Sequence, residues 1–328
     1  MITSCFVYKA TGYDPYENLA AEQYLLEHLQ PQQCILYLWQ NQNTVVIGRN
    51  QNAWAECRTA LLQSEGGKLA RRLSGGGAVF HDLGNLNFTF LLSDEDFQIE
   101  KQLSVIKKAC ALAGIETETS GRNDVLAGGR KFSGNAFYHS KGHAYHHGTL
   151  LIDADMGKLQ RYLSPSKAKL EAKGIASVRS RVVNLTELAA GLTVEKMEQY
   201  MCQAFGAVYG IEPAELVLPS PAKAEIAATA QAISSWDYLF GTPLPFTCQM
   251  EQRFPWGNIQ LQIEAKGGVI QAVRVYSDAM DWQLPQLLEA ALMGCRFTKE
   301  DICSHLVQSD ISADISQDLQ EIIRQQDI

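Results

Sequence analysis

The spacing of apolar and polar residues predicts a chain that mixes helices and strands. Residues 85–92 show the clearest strand pattern, with an apolar side chain at every second position. Residues 193–208 show the clearest helical pattern, an apolar stripe that runs from Val194 to Val208. Predicted helices cover residues 14–30, 52–63, 95–113, 193–208 and 312–324. Predicted strands cover residues 34–39, 44–48, 85–92, 124–127, 131–137, 145–152, 246–253, 259–264 and 269–276. This is an α+β pattern, without the regular strand–helix alternation of a doubly wound fold.

A stretch rich in Pro, Ala and Ser, residues 216–245, separates the longer first group of elements from the last few. We predict that it joins two domains. The larger would cover residues 1–244, with a mixed β-sheet packed with helices, and a small α+β C-terminal domain would cover residues 245–328.

Composition narrows the classes of function. The formal net charge of −8 disfavours a nucleic-acid-binding protein. No apolar run is long enough to span a membrane, and residues 1–9 lack the pattern of a secretory signal, so we expect a cytoplasmic protein. The eight cysteines are scattered without a CxxC pair, which favours free thiols over a zinc site or a disulfide framework.

Positive charge is concentrated in residues 151–181, where seven Lys and Arg residues face only three acidic ones. Such a patch suggests an anionic ligand or an acidic protein partner. A solvated helical surface would explain the charge equally well.

The first candidate site is the segment Arg71 to Asp82, which contains three consecutive glycines. Glycines let the backbone approach a ligand closely, and exposed N–H groups can bind an anion. The adjacent Arg72 could hold a phosphate or a carboxylate. The segment matches neither a P-loop nor a dinucleotide fingerprint, and a flexible turn would also explain the glycines.

The second candidate site joins Asn123 and Asp124 to Lys131. The two oxygen-bearing side chains suit Mg²⁺ carried by a nucleotide. A lysine that points inward from a strand could hold the negative oxygens of a reacting centre. The alternative is an exposed lysine in a hairpin.

Four of the seven histidines lie at positions 139, 143, 146 and 147. No cysteine or suitably spaced carboxylate accompanies them, which disfavours zinc. His146 and His147 lead into a predicted strand, so they would point to opposite faces and at most one would enter a pocket.

Several longer runs of sequence are more specific for a protein family than any of these single motifs. Residues 72–90 (RLSGGGAVFHDLGNLNFTF), with residues 45–52 (VVIGRNQN) before them, closely resemble the lipoate–protein ligase A family. The similarity continues in GRND at 121–124, RKFSGNA at 130–136, HHGTLL at 146–151 and KGIASVRSRVVNLTEL at 173–188. The tail resembles the accessory domain of the two-domain bacterial type.

This resemblance implies a biotin/lipoate ligase-like catalytic domain and a set of roles. Lys131 would be the catalytic lysine that contacts both the acyl carboxylate and the α-phosphate. ATP and the adenylate would be bound by Arg72, Gly77, Ala78, Val79, Phe80, Asn85, Lys131, Gly174, Val178 and Arg179. Lipoate would be bound by Trp39, Arg72, Ser74, Gly76, Gly77, His81, Lys131, His147 and Thr149. Asn123 and Asp124 would hold Mg²⁺ through the nucleotide.

The implied function is ATP-dependent activation of lipoate to lipoyl-AMP, followed by transfer to a lysine of apo lipoyl domains. The implied partners are E2 subunits of 2-oxoacid dehydrogenases and the glycine cleavage H protein, and we expect a monomer.

One alternative is an octanoyl transferase that uses an acyl carrier protein. Its cysteine-dependent form needs a thiol near the lysine, and no cysteine lies between Cys110 and Cys202. A biotin ligase matches the acyl loop and the tail less well. A non-catalytic lipoyl-domain binding module is disfavoured by the intact Lys131, Asn123 and Asp124.

Overall fold

A computed structural model describes residues 1–121, 124–163, 182–240 and 248–326. The strands are β1 Ser4–Lys9, β2 Gln33–Trp39, β3 Thr44–Ile47, β4 Lys68–Arg71, β5 Val79–His81, β6 Asn85–Ser93, β7 Glu118–Ser120, β8 Asp124–Ala127, β9 Arg130–Ser140, β10 His143–Leu151, β11 Ala214–Glu215, β12 Cys248–Phe254, β13 Gly257–Lys266 and β14 Val269–Ser277. The helices are α1 Pro15–Glu27, α2 Ala53–Glu56, α3 Thr59–Ser64, α4 Ile99–Leu112, α5 Met156–Tyr162, α6 Val194–Tyr209, α7 Ser220–Ile233, α8 Trp236–Phe240, α9 Leu284–Leu292, α10 Lys299–Gln308 and α11 Ala313–Gln325.

The largest sheet among the described residues has the strand order β11-β1-β2-β6-β10-β9-β8-β7. β1 runs parallel to β2, and β2, β6, β10 and β9 pair antiparallel, so the predicted mixed sheet is confirmed. Its central strands are buried on both faces. On one face Leu86, Phe88 and Phe90 pack with α4 and α6. On the other face the sheet packs with α1.

Helix α1 begins where its sequence predicts. The side chain of Asp14 accepts hydrogen bonds from the N–H groups of Tyr16 and Glu17, and Pro15 occupies the first turn. Leu19, Leu25 and Leu26 pack on the sheet. The buried face also carries Glu22, which is only 1% exposed.

A small sheet of order β4-β3-β5 lies over the α1 face of the large sheet. Its residues alternate between two cores, because successive side chains of a strand point to opposite sides. Val46 and Ala70 pack toward α1, whereas Val45 and Ile47 pack against α3 and Phe80. This sheet carries the ends of the glycine segment, since β4 ends at Arg71 and β5 begins at Val79.

The C-terminal part forms the antiparallel sheet β12-β13-β14 with α9, α10 and α11, around a core of its own. It contacts the larger part through the end of β14 and the segment that follows it. The Ser277 N–H donates to the Asn50 carbonyl at 2.9 Å, and the Asn50 side chain donates to the Trp282 carbonyl at 2.8 Å. The Arg49 guanidinium lies 4.7 Å from the centre of the Trp282 ring.

Several predicted elements differ in detail. The helix predicted at residues 52–63 is two short helices, α2 and α3, because the chain is extended at Cys57. The stretch 216–245, predicted only as a connection, contains α7 and α8. Helices α5, α9 and α10 and strands β1, β4, β5, β7 and β11 were not predicted, because most are too short to show a period. The predicted boundary at residues 244 and 245 lies outside the described residues.

No helix among the described residues combines the length and the apolar character needed to cross a membrane.

Candidate active site

A cavity of about 150 Å³ lies between the large sheet and the small one. Its wall residues come from α1, β2, β6, β9 and β10 on one side and from β3, β5 and the glycine segment on the other. They are Leu19, Trp39, Val46, Arg72, Gly76, Gly77, Ala78, Val79, His81, Asn87, Lys131, Gly134, Asn135, Ala136, His147, Gly148 and Thr149. The glycine segment and the strand around Lys131, which are remote in sequence, therefore meet at one cavity.

The sheet side of the cavity is a row of side chains across neighbouring strands. Trp39 of β2 lies opposite Asn87 of β6, and Asn87 lies opposite Thr149 of β10. The Gly134 N–H of β9 donates to Thr149 Oγ1 at 3.3 Å. The row thus leads from Trp39 at one end to the neighbourhood of Lys131 at the other.

Lys131 projects along the surface of β9 into the cavity. A Cβ atom on Gly134 would lie 2.9 Å from Lys131 Nζ, so the glycine leaves the space that the lysine occupies. Lys131 Nζ is 2.6 Å from Asp124 Oδ1, and both side chains are 36% exposed. Lys131 therefore lies in a hairpin and is partly exposed, as the alternative predicted, but its cation also lines the cavity with a carboxylate beside it.

The guanidinium of Arg72 organises the glycine segment. Its Nη2 donates to the carbonyls of Gly75 at 2.7 Å and Gly77 at 2.8 Å, and its Nη1 donates to the carbonyl of Val46 at 3.2 Å. Burial lowers the pKa of Arg72 to about 10, so the side chain is still charged at neutral pH. In this structure Arg72 thus holds the backbone of its own loop, and it contributes its positive charge to the cavity wall.

The glycine segment also contacts the C-terminal part. The Gly76 N–H donates to the Ala279 carbonyl at 3.2 Å, and Gly76 has a φ of 86°, which favours glycine. A Cβ atom on Gly75 would lie 2.4 Å from the same carbonyl oxygen. Two glycines of the triplet are thus required by the fold itself.

A chain of buried hydrogen bonds runs behind the cavity wall. The Trp39 Nε1–H donates to Thr89 Oγ1 at 3.1 Å, and the Thr89 hydroxyl donates to Glu22 Oε1 at 2.7 Å. The same carboxylate oxygen lies 2.8 Å from His147 Nδ1, and His147 Nε2 lies 2.7 Å from Ser74 Oγ. The chain ties α1, the large sheet and the glycine segment together.

Sequence reasoning missed Glu22 and Thr89. A signal for Glu22 was present, because this carboxylate falls on the apolar stripe of α1, three residues after Leu19 and four before Leu26. An acidic residue in that place needs buried partners.

His81 lies at the Trp39 end of the cavity. The two rings meet edge to face with their centres 6.1 Å apart. The pKa of His81 is lowered to about 3, chiefly by burial and further by the nearby Arg72 and His147. The imidazole is therefore neutral at physiological pH.

The structure brings together many of the predicted site residues. Those that line the cavity are Trp39, Arg72, Gly76, Gly77, Ala78, Val79, His81, Lys131, His147 and Thr149. Ser74 lies behind the wall, bonded to His147. Phe80 packs away from the cavity against Tyr162, and the Asn85 side chain donates to Asn87 Oδ1. Asn123, Gly174, Val178, Arg179 and most of the basic patch lie outside the described residues.

The histidine cluster is dispersed, as the strand pattern predicted. His147 faces the cavity, whereas His146 lies on the opposite face beside Phe88 and Phe137. His139 is paired with Asp94 at the surface. Within the described ranges, none of these histidines belongs to a group of three side chains placed to bind a metal.

All eight cysteines lie in the described part of the chain and are free thiols. None of them lines the cavity. Burial raises the pKa of each thiol, to about 12 for Cys57 and Cys110. A cysteine nucleophile beside Lys131, which the cysteine-dependent transferase requires, has no candidate among the described residues.

Comparison with known proteins identifies the family. Residues 14–206 match the lipoyl protein ligase A/B catalytic domain, and residues 244–325 match the bacterial lipoate protein ligase C-terminus. The structure is similar to that of P. falciparum LipL1 in complex with lipoate, with a TM-score of 0.86 and 27% identity over 98% of this chain and 100% of that one.

Two further structures share the fold at lower identity. Lipoate-protein ligase A bound with ATP has a TM-score of 0.64 and 23% identity, over 74% of this chain and 99% of that one. A bi-partite lipoate protein ligase of T. acidophilum, described together with its E2 lipoyl domain, has a TM-score of 0.66 and 23% identity, over 76% and 100%. Since the catalytic-domain match spans more than half of the chain and the second match covers its C-terminal part, the chain belongs to the lipoate–protein ligase family.

Proposed function

We propose that this protein activates lipoate with ATP to form lipoyl-AMP and then transfers the lipoyl group to a specific lysine of apo lipoyl-domain proteins. The observation that carries the proposal is the position of Lys131, a cation at one end of an otherwise mostly apolar cavity. Two structures with this fold support lipoate and ATP as the proposed substrates, because one is in complex with lipoate and the other is bound with ATP.

Activation must bring two anions together, because the lipoate carboxylate attacks the α-phosphorus of ATP and pyrophosphate leaves. A cation fixed between the two reduces their repulsion and stabilises the charge that develops during transfer. The position of Lys131 in the cavity wall supports that role, and the Arg72 charge lies in the same wall. In the second step the acceptor amine attacks the acyl carbonyl and AMP leaves, and Lys131 polarises that carbonyl.

The residues present fit a Mg²⁺ ion carried by the nucleotide. Asp124 offers a half-exposed carboxylate beside Lys131, and Mg²⁺ is commonly held by one or two carboxylates together with substrate phosphates. Bound there, Mg²⁺ would neutralise phosphate charge. Asp124 also holds Lys131 in place before the nucleotide arrives. Asn123 is proposed as the neighbouring ligand.

Acceptor proteins are proposed to be lipoyl domains of E2 subunits and the glycine cleavage H protein. A relative of this fold is described together with its E2 lipoyl domain. We further propose a cytoplasmic monomer in which residues 1–244 catalyse both steps and residues 245–328 form the accessory domain.

The test is lipoate-dependent exchange between ATP and pyrophosphate in the presence of Mg²⁺, together with mass analysis of an apo lipoyl domain. Exchange and the added lipoyl mass are expected. Transfer from an octanoylated carrier protein without exchange would instead identify an octanoyl transferase. The absence of both activities would overturn the ligase proposal and leave a binding module or an inactive relative.

A further inference from the structure

Three side chains of the C-terminal part are of metal-binding types and lie close together. They are Cys295, Asp301 and His305, and one ligand atom of each lies within 4.8 Å of the other two. No other group of three His, Cys, Asp or Glu side chains among the described residues meets this condition. None of the three lines the cavity that contains Lys131, so the group is separate from the candidate active site.

Cys295 lies in the connection between α9 and α10 and is held there by backbone pairing. The Ile270 N–H donates to the Cys295 carbonyl at 2.9 Å, and the Gly294 N–H donates to the Ile270 carbonyl at 3.0 Å. Cys295 is only 3% exposed, and its thiol donates to the Leu292 carbonyl at 3.1 Å. The sulfur atom therefore has a fixed position at the buried side of the group.

Asp301 and His305 form the outer side of the group. They are four residues apart on α10, so their side chains lie on the same face of that helix. Asp301 Oδ2 lies 3.8 Å from His305 Nδ1, and the two side chains are 35% and 42% exposed. An ion can therefore reach the group from solvent.

Both outer side chains are oriented by hydrogen bonds of the kind that support metal ligands. The Arg296 N–H donates to Asp301 Oδ2 at 2.6 Å, which holds the carboxylate toward the connection that carries Cys295. His305 Nδ1 lies 2.9 Å from the Asp301 carbonyl oxygen. Since a carbonyl only accepts, the ring proton lies on Nδ1 and the lone pair on Nε2. Histidines that bind metals commonly donate their other N–H to a carbonyl or a carboxylate in this way.

The types of ligand atom distinguish between ions. A thiolate and an imidazole suit Zn²⁺, whereas Mg²⁺ and Ca²⁺ prefer oxygen ligands. Burial and the nearby Asp301 raise the pKa of the Cys295 thiol to about 11, so the thiol is protonated at neutral pH until a cation displaces the proton. Coordination of Zn²⁺ replaces the S–H bond by a bond to the metal and releases the proton to solvent.

We propose that Cys295, Asp301 and His305 form a zinc-binding site in the C-terminal part, with water as the fourth ligand. Bonds from zinc to sulfur, nitrogen and oxygen are about 2.0–2.3 Å long, so small rotations of the two outer side chains bring all three ligand atoms onto one ion. The ion joins the α9–α10 connection to the first two turns of α10. Because it binds the folded chain, it also stabilises the C-terminal part.

The first test measures binding of Zn²⁺ alone to the full chain, by competition with a chromophoric chelator in an excess of Mg²⁺. The variants are Cys295→Ser and His305→Gln, and the second of these changes a partly exposed side chain. Loss of a group that merely supports a ligand already weakens metal binding by about 10–100-fold, so loss of a ligand should weaken it at least about a hundredfold. The controls, Cys303→Ser on the same helix and His139→Gln at the surface, should bind Zn²⁺ as the wild type does.

The second test uses Co²⁺ as a spectroscopic substitute for Zn²⁺. Co²⁺ bound by a thiolate should give the wild-type chain a charge-transfer absorption in the near ultraviolet, which persists in Cys303→Ser and is absent from Cys295→Ser. Added Zn²⁺ should also raise the melting temperature of the wild type and not that of His305→Gln. Equal Zn²⁺ affinity in wild type and His305→Gln, or a Co²⁺ band that survives in Cys295→Ser, would overturn the inference. None of these measurements uses lipoate or ATP, so their outcome is independent of the proposed function.

Discussion

Lys131 Nζ lies 2.6 Å from Asp124 Oδ1 across the β8–β9 hairpin, so the cation at the cavity is held by a carboxylate before any substrate binds. The two residues are seven positions apart in sequence. Asp124 pairs with Gly134 across the hairpin, and the Lys131 side chain reaches along β9 over Gly134 to meet the carboxylate. The arrangement orients the lysine side chain toward the row of cavity residues. The pair is also where the proposed chemistry can be tested most directly.

Lys131→Ala should fold normally and lose adenylation by at least about a hundredfold, because a preorganised cation aimed at developing charge contributes rate on that scale. Lipoate-dependent ATP–pyrophosphate exchange measures the loss, and a thermal melt measures the folding. Lys108→Ala, at an exposed position of α4, is the matched control and should retain wild-type exchange. Near-normal exchange in folded Lys131→Ala would remove this residue from the mechanism.

Glu22→Ala should destabilise the protein by about 2–5 kcal/mol, because it leaves buried partners without an acceptor. Glu22 is 1% exposed. Its carboxylate accepts a hydrogen bond from the Thr89 hydroxyl and lies within hydrogen-bond distance of His147 Nδ1. Denaturation in urea gives the free energy of unfolding. Glu27→Ala, on the exposed face of the same helix, should change it by less than about 0.5 kcal/mol. Equal effects of the two substitutions would mean that the buried hydrogen-bond chain contributes little to stability.

His81 should make the free energy of unfolding depend on pH in a defined window. Its pKa in the folded protein is lowered from 6.5 to about 3, so between those values the unfolded chain binds a proton that the folded protein does not. The stability that His81 contributes is complete above pH 6.5 and is lost as the pH falls, by up to about 1.4 kcal/mol per pH unit.

Urea titrations at pH 7, 6 and 5 should therefore show a steeper decline for wild type than for His81→Phe, which has no imidazole to protonate. Parallel curves for the two proteins would show that His81 titrates normally in the folded state. The comparison cancels the contributions of the other ionisable groups.

The glycine triplet offers a matched pair of substitutions. In Gly75→Ala the new Cβ would lie 2.4 Å from the Ala279 carbonyl oxygen, so backbone must move, and we expect a loss of about 1–3 kcal/mol. In Gly77→Ala the new Cβ meets nothing within 4 Å, so the free energy of unfolding should stay nearly constant. Urea denaturation compares the two. If Gly77→Ala were the more destabilising, the contact between the glycine segment and the C-terminal part would not constrain the triplet.

Where the helices and strands are long, the spacing of apolar and polar residues was enough to predict them. The alternation in residues 85–92 correctly predicts β6, and the stripe beginning at Val194 predicts α6. Short strands such as β4 and β5 were not predicted, because three or four residues are too few to show an alternation of apolar and polar positions. Their pairing partners are also remote in sequence. The glycine triplet and Lys131 were recognised as candidate site residues because their residue types are chemically unusual in those places.

The sequence by itself determined the mixed pattern of elements, the family and the residues around which the site is built. Only the tertiary structure decided how those residues act. In the folded protein the Arg72 guanidinium donates to carbonyls of its own loop. Glu22 pairs with His147, which lies 125 residues away in sequence. The tertiary structure also buried one ring nitrogen of His81 without a hydrogen-bond partner among the described residues. The physical reason is that local spacing fixes which face a side chain occupies, whereas its hydrogen-bond partners depend on which remote strands and loops pack against that face.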